Sequence, residues 1–302
     1  MRLATPTFLV LSCLFCTHVF SQSVTIDISG GYCLPIAQST EALVNYRVQV
    51  STPPHTYTTY AKLKRVSYAQ GGCVALNFNW YSKKNIGFGL KLNAQIGSAF
   101  KNKTVLIAPS TGTEYYDFTD KAFSFQFIPH LCFKHDFKKV SPVLEAGMVV
   151  GLTEINHTYT ATSSFYSETI NSRVRDNGGV MLGFYSSLGV MFHVSKVVKI
   201  NLAVNCIAAS YSPTDWQRKS FHVNGIDRMN LLNTSQRQGQ YVKELDLQAS
   251  PNPGDPDKSL KYSAAMSSVG LTAGICFSIG RQNKKPVKKT ELNLPPPTEK
   301  DF

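Results

Sequence analysis

Apolar and polar residues alternate along eight segments of the chain, and this alternation predicts β-strands. A period of two places successive side chains on opposite faces of an extended strand. In the first segment, Val24, Ile26 and Ile28 share one face and Thr25 and Asp27 share the other. The other segments are residues 71–81, 86–97, 122–134, 142–152, 179–194, 199–209 and 269–279. Their lengths suit tilted membrane crossings, which take about 9–11 residues.

The connections between these segments alternate between short and long. Short links follow the second, fourth and sixth segments, at 82–85, 135–141 and 195–198. Long ones follow the first, third, fifth and seventh, at about 36–70, 98–121, 153–178 and 210–268. Tight turns at one rim and long loops at the other are typical of outer-membrane barrels. We therefore predict an all-β, eight-stranded antiparallel up-and-down transmembrane β-barrel with four long extracellular loops and short periplasmic turns.

The composition of the polar faces indicates which side of the barrel faces outward. A soluble, lipocalin-like barrel points its apolar face inward and its charged face to water. Here the apolar faces carry no charge, and the polar faces are mainly Gly, Ser, Asn, Ala and Thr. Four full charges interrupt them, at Asp27, Lys91, Lys134 and Glu145. Since eight strands enclose a lumen that side chains can fill, the small polar face suits the interior and the apolar face suits lipid.

The two ends of the chain lie outside the predicted barrel at 22–280. Arg2, the apolar run Phe8 to Phe15 and Ser21 are typical of a signal peptide over residues 1–21, cleaved near Ser21. Residues 281–302 are basic and proline-rich, which predicts a disordered periplasmic tail. Charged residues make up 17% of the chain, below the roughly 25% of soluble domains.

Several sequence motifs resemble those of the outer-membrane β-barrel domain family of small OmpA-like and PorT-like barrels. They are the SGGY motif at 29–32, GFGLKLNAQIG at 87–97, SPVLEAGMVVGL at 141–152 and the glycine-spaced last strand. The resemblance spans residues 23–280 and implies the fold and a bacterial outer-membrane location, without one activity. Two departures are the very large fourth loop and the continuation of the chain past the last strand.

The candidate chemistry is sparse. We expect the inward charges and His130 to form a lumenal polar network of Asp27, Lys91, His130, Lys134 and Glu145. Salt bridges that satisfy buried charge are the favoured interpretation, and a gate or proton path is the alternative. Cys33 and Cys73 point inward on adjacent strands, and an exported chain could join them in a disulfide. Pro129 falls within a strand, where we expect a bulge or an error in register.

No catalytic, metal-binding or cofactor-binding constellation stands out. There is no HExxH motif, the cysteines lack CxxC spacing, and Ser186 and His193 lie on opposite faces of one strand. We therefore expect a non-enzymatic protein that anchors, or binds through its loops. The alternatives are a narrow pore or secretion component, a lipid-modifying enzyme, and a soluble binding barrel.

Outer-membrane lipids are the expected surroundings of the barrel. The first loop is basic (Arg47, Lys62, Lys64, Arg65) and could bind lipopolysaccharide phosphates. Its alternating residues from Val44 to Val50 suggest a projecting hairpin, and we expect the fourth loop to be mobile and partly irregular. A periplasmic protein or peptidoglycan could bind the tail. Nucleic acid is an unsuitable partner for an exported chain, despite a pI near 9.3.

Overall fold

A computed structural model describes residues 23–36, 45–50, 57–62, 67–82, 85–108, 112–163, 168–246 and 252–279. The predicted signal peptide at 1–21 and the predicted tail at 281–302 lie outside these residues. The strands are β1 (Ser23–Pro35), β2 (Asn45–Val50), β3 (Tyr57–Lys62), β4 (Gly71–Tyr81), β5 (Ile86–Gly97), β6 (Phe100–Ala108), β7 (Gly112–Lys134), β8 (Val140–Ser163), β9 (Glu168–Asn177), β10 (Met181–His193), β11 (Val198–Tyr211), β12 (Asp215–Val223), β13 (Ile226–Asp227), β14 (Gln238–Val242), β15 (Asp257–Leu260), β16 (Ala264–Ala265) and β17 (Ser268–Ile279). A 3₁₀ turn (Met229–Leu231) and the short helix α1 (Thr234–Arg237) complete the described chain.

Eight of these strands close into a barrel. The order around it is β1, β4, β5, β7, β8, β10, β11 and β17, with every neighbouring pair antiparallel. β17 returns to β1, so that Val24 lies opposite Ile279 and Pro35 lies opposite Ser268. Closure pairs the edges that an open sheet would expose. The predicted fold class is confirmed, and the eight strands match the eight alternating segments.

The two faces of the barrel have opposite chemistry. Large apolar side chains cover the outside, and Phe184 and Leu271 remain 70% and 67% exposed. The inside holds buried polar and charged groups, and Glu145 is 6% exposed. An uncharged apolar belt around a closed polar interior is the surface of a membrane-spanning barrel. The soluble-barrel alternative is therefore wrong, because that barrel needs its apolar face inside.

Pro129 is accommodated without the expected bulge. β5 and β7 pair continuously through this position, with Leu90 opposite Pro129. Between β7 and β8 the pairing stops after Phe127 and resumes at His130, opposite Val150 and Gly147. The two pairs are three residues apart on β7 and also three residues apart on β8, so neither strand has an extra residue and the register is preserved. Proline, which has no N–H to donate, interrupts one ladder locally without shifting it.

Above the barrel the sheet continues where long loops were expected. β7 and β8 have 23 and 24 residues, about twice a membrane crossing. Strand pairing then gives the order β3–β2–β6–β7–β8–β9–β12–β14–β15. We call the part of this sheet beyond the barrel, with the segments joined to it, the extracellular extension. The first connection contains a separate hairpin, β2–β3, where we expected the first two barrel strands to project outward, and the fourth is more regular than expected.

Apolar and polar side chains together fill the upper part of the lumen. An apolar cluster of buried residues includes Ile128, Ile155, Met181, Tyr211 and Met266. Gln126 lies at the level of Met181 and joins Asn93 and Gln95 by hydrogen bonds. The lumen therefore has a mixed layer beneath the extension and a polar layer nearer the periplasmic turns.

Candidate functional site

The polar layer is organised around the carboxylate of Glu145. The side-chain amides of Asn77 and Asn79 donate to its Oε1 at 2.8 and 3.3 Å, and the hydroxyl of Tyr185 donates to its Oε2 at 2.7 Å. His130 Nε2 lies 3.8 Å from Oε1. A buried carboxylate needs this many partners because desolvation is costly.

Lys91 joins the same cluster through Tyr185. Its ammonium donates to the Tyr185 hydroxyl at 2.7 Å and to Asn205 Oδ1 at 3.3 Å. Asp27 lies apart and accepts a 2.6 Å hydrogen bond from Asn201. The structure thus brings Lys91, His130 and Glu145 together, and places Asp27 at the edge of the cluster.

Lys134 belongs to a second cluster at the periplasmic rim. Its ammonium lies 3.1 Å from the Asp136 carboxylate and 4.5 Å from the centre of the Tyr81 ring. Lys199 is also buried inside the barrel, at 7% exposure, so the four inward charges counted from the sequence were too few. Lys199 stands at the start of a strand, where its inward direction was easy to overlook.

The same rim brings a serine, a histidine and an aspartate together. Ser141 Oγ lies 2.6 Å from Asp136 Oδ1 and 2.7 Å from His193 Nε2. Hydrolases need the histidine between the serine and the acid, so that it can take the serine proton. Here the serine stands between the other two, which favours a structural hydrogen-bond bridge. Ser186, the serine considered from sequence, lies on the exposed outer face.

Little free space is left between these groups. A cavity of about 10 Å³ is lined by Asp27, Lys91, Glu145, Asn201 and Thr272 among others. A cavity of this volume can hold at most one water molecule. Side chains therefore fill the polar layer as they fill the mixed layer above it.

A second group of ionisable residues lies above the membrane, at the base of the extension. His157 of β8 is held between two carboxylates, with Nδ1 2.8 Å from Asp120 Oδ1 and Nε2 3.2 Å from Asp176 Oδ2. The hydroxyls of Tyr241 and Tyr262 also donate to Asp176 Oδ2, at 2.9 and 2.5 Å. Asp120 and His157 continue the inward faces of β7 and β8 by the same period of two.

This geometry keeps His157 charged. Burial lowers the pKa of the imidazole, but hydrogen bonds and charge interactions with Asp120 and Asp176 outweigh that effect and raise the pKa to about 10. At neutral pH the ring is therefore an imidazolium between two carboxylates.

A cleft opens beside this ion cluster. Its volume is about 410 Å³, and its lining is His157, Val174, Asp176, Trp216, Arg218, Tyr241 and Tyr262. These residues come from β8, β9, β12, β14 and the link after β15. The size is in the range of small-molecule sites, and the mixture of aromatic and charged groups is typical of them. We call this the extracellular cleft.

The cleft residues were missed by the sequence analysis because they come from two connections treated as loops. The inward alternation of β7 and β8 past residues 122 and 152 was the available signal for Asp120 and His157. For Trp216 and Arg218 no local signal was available, because the register shift between Arg218 and Ser220 breaks the alternation along 215–223. Nothing in the linear sequence brings these strands beside Tyr241 and Tyr262.

The two cysteines that the sequence analysis paired lie side by side. The Sγ atoms of Cys33 and Cys73 are 3.6 Å apart, and both thiols are free and buried. Across the described ranges, no group of three or more His, Cys, Asp or Glu side chains is arranged to hold a metal ion. No helix in the described part of the chain is long and apolar enough to cross a membrane. The side chains of Arg47, Lys62, Lys64 and Arg65 lie outside the described residues.

Comparison with known proteins found similar solved structures and no similar sequences. No family model and no curated protein matches the chain. Among solved structures, two of Ail, the attachment invasion locus protein of Yersinia pestis, are similar at 9% identity, with TM-scores of 0.30 and 0.29. Each covers 86% of this chain and 99% of the neighbour, and one is a complex with the heparin analogue sucrose octasulfate. At this TM-score and identity, the likeness carries no statement about function.

Proposed function

We propose that this protein is a non-enzymatic integral protein of the bacterial outer membrane, whose barrel anchors an extracellular binding structure. The observation that carries this proposal is the contrast between the two ends of the molecule. Side chains fill the barrel, whereas the extension above it is built from paired strands and holds an open cleft of about 410 Å³. A filled lumen suits an anchor, and a cleft outside the membrane suits a binding site.

The same contrast argues against the pore alternative. A conducting barrel needs a continuous polar passage, but the lumen is occupied by the apolar cluster around Ile155 and Met181 and by the network around Glu145. A lipid-modifying enzyme is disfavoured by the order of Ser141, His193 and Asp136, in which the serine occupies the central position. Membership of the OmpA-like or PorT-like barrels stays a proposal that rests on sequence motifs.

Lipid around the apolar belt is the partner that the outer face requires. Lipopolysaccharide at the basic first loop, and a periplasmic protein or peptidoglycan at the tail, stay proposals based on charge alone. Cleavage of the signal peptide near Ser21 is likewise proposed from the sequence pattern.

Two measurements on the full-length protein test the proposed function. The first is single-channel conductance in planar bilayers, for which we expect no current steps because the lumen is filled. Stepwise conductance would overturn the anchoring role in favour of a pore. The second is an epitope inserted between Asn224 and Gly225, in the two-residue turn between β12 and β13. Antibody should label it on intact cells, and labelling only after lysis would overturn the extracellular placement of the cleft.

A further inference from the structure

The extracellular cleft has features that restrict the chemistry of its ligand. This inference rests on the proposed function, because it identifies the ligand class of the extension. Three properties of the cleft carry it: flat aromatic walls, a cation without an ionic partner among the described residues, and a carboxylate already paired with a histidine.

The aromatic side chains that line the cleft are held in fixed positions by their neighbours. A Cβ atom on Gly239 would lie 2.2 Å from Trp216 Nε1, so the indole packs directly against the backbone of β14. Tyr241 and Tyr262 meet edge to face, with ring centres 5.2 Å apart. Rings held in this way offer apolar surface without losing side-chain freedom on binding. The C–H-rich face of a sugar ring is a suitable complement to such a wall.

Arg218 is the cation without an ionic partner. Within the part of the chain that the structure describes, no carboxylate lies within 4.0 Å of its guanidinium. Its guanidinium carbon lies 5.4 Å from the centre of the Phe221 ring, and its buried Nε has no hydrogen-bond partner. Partial burial takes the guanidinium of Arg218 out of water and lowers its pKa. An anionic oxygen would supply the missing acceptor.

The third property is the state of Asp176. Its Oδ2 pairs with His157 and accepts hydrogen bonds from Tyr241 and Tyr262, whereas its buried Oδ1 has no hydrogen-bond partner among the described residues. The charge of this carboxylate is therefore shared with the imidazolium and not with Arg218. The local charges are two positive, on His157 and Arg218, and two negative, on Asp120 and Asp176, so they sum to 2 − 2 = 0. Both carboxylates pair with His157, so Arg218 is the charged group of the lining that has no ion pair among the described residues.

We propose that the extracellular cleft binds an acidic sugar, with the sugar carboxylate on Arg218 and the ring against Trp216. The volume of about 410 Å³ admits one or two sugar units. A neutral sugar would leave the guanidinium without its acceptor, and a small carboxylate would leave the aromatic wall uncovered. Both groups are needed in one ligand.

Tryptophan fluorescence offers a direct test, since the chain has two tryptophans. Trp80 lies on the membrane-facing side of β4, so a Trp80→Phe protein in detergent micelles reports on Trp216 alone. We would titrate it with D-glucuronate, D-galacturonate and N-acetylneuraminate, and with D-glucose and acetate as matched controls. We expect at least one acidic sugar to give a saturable change with a Kd on the order of millimolar. Glucose and acetate should bind at least tenfold more weakly.

Two variants locate the acidic group of the ligand, with binding measured by calorimetry. Arg218→Gln should weaken binding of the acidic sugar at least tenfold. Lys219→Gln, which removes the neighbouring positive charge on the exposed opposite face of β12, should leave binding unchanged. The gel-mobility shift on boiling would show that the barrel of both variants is folded, and an unchanged thermal-unfolding midpoint by Trp216 fluorescence would show that the extension is folded.

The proposal is overturned if none of the three acidic sugars saturates the signal, or if glucose binds equally well. It is also overturned if Arg218→Gln binds as tightly as the parent protein, or if Lys219→Gln loses binding to the same extent. These outcomes are independent of the conductance and epitope measurements. If the barrel does not conduct and the epitope is labelled on intact cells, but no acidic sugar binds, this inference is wrong and the proposed function is retained.

Discussion

Inside the lumen, the hydroxyl of Tyr185 donates to Glu145 at 2.7 Å, and the Lys91 ammonium donates to the same hydroxyl at 2.7 Å. One phenol therefore links a buried acid on β8 and a buried base on β5, two strands that β7 separates. Because Asn77 and Asn79 hold the other carboxylate oxygen, the network fixes the relative positions of β4, β5, β8 and β10.

Neutralising the buried acid should destabilise the barrel. In Glu145→Gln, Lys91 loses its nearby negative charge and Tyr185 loses a charged acceptor, which should cost about 3–5 kcal/mol. The measurement is the urea midpoint of barrel unfolding in lipid vesicles, followed by gel mobility. Glu154→Gln is the matched control, because it breaks the more exposed Arg175–Glu154 pair and should cost at most about 1 kcal/mol. Equal losses in the two variants would contradict a special role for the lumenal network.

Gly89 gives His130 the room it needs in the lumen. A Cβ at this position would lie 2.0 Å from His130 Nε2 and 2.1 Å from Asn79 Oδ1. Gly89→Ala should therefore displace both side chains and cost about 1–3 kcal/mol. Gly72→Ala is the control, because a Cβ on Gly72 meets nothing within 4 Å. The same urea titration compares them, and an unchanged midpoint for Gly89→Ala would mean that His130 can move freely.

The extension should lose stability in alkali. His157 faces Asp120 of β7, Asp176 of β9, and the hydroxyls of Tyr241 and Tyr262 that share Asp176. Its folded pKa of about 10 lies above the ordinary 6.5. The stabilisation is therefore fully present below about pH 6.5 and is lost as the pH rises through about 10.

Thermal unfolding of the extension, followed by Trp216 fluorescence in the Trp80→Phe protein, measures this effect. The midpoint should fall between pH 7 and pH 10.5. His157→Gln should have a lower midpoint at pH 7 and a smaller fall, because it has no imidazolium to lose. Parallel curves for the two proteins would contradict the ion cluster.

Cys33 and Cys73 are placed to form a disulfide after export. In the β1–β4 ladder, Cys33 lies opposite Gly71 and Cys73 lies opposite Gly31, so the two thiols meet diagonally beside glycines. Their Sγ atoms need to approach from 3.6 Å to about 2.0 Å. We expect thiol alkylation under denaturing conditions to modify Cys132, Cys206 and Cys276 and to spare this pair until a reductant is added. Alkylation of all five without reductant would show that the pair remains reduced.

The sequence by itself determined the barrel, because membrane-spanning strands must alternate with a period of two between lipid and lumen. This alternation is visible within each strand of the sequence. It was enough to predict the eight crossings, the short turns between them, and which face of each strand points to lipid. It also placed Asp27, Lys91, His130 and Glu145 inside, since no other position in such a strand tolerates charge.

Only the tertiary structure decided what the inward residues contact and what stands above the membrane. Lys134 turns to Asp136 because the rim turn brings that carboxylate closer than Glu145. Trp216 and Tyr241 share a cleft because β12 pairs with both β9 and β14, far apart along the chain. Outside the membrane, water satisfies unpaired backbone groups, so the constraint that makes barrel strands regular is absent. Apart from the continued alternation of β7 and β8, strand pairing there depends on long-range contacts that no local pattern in the sequence specifies.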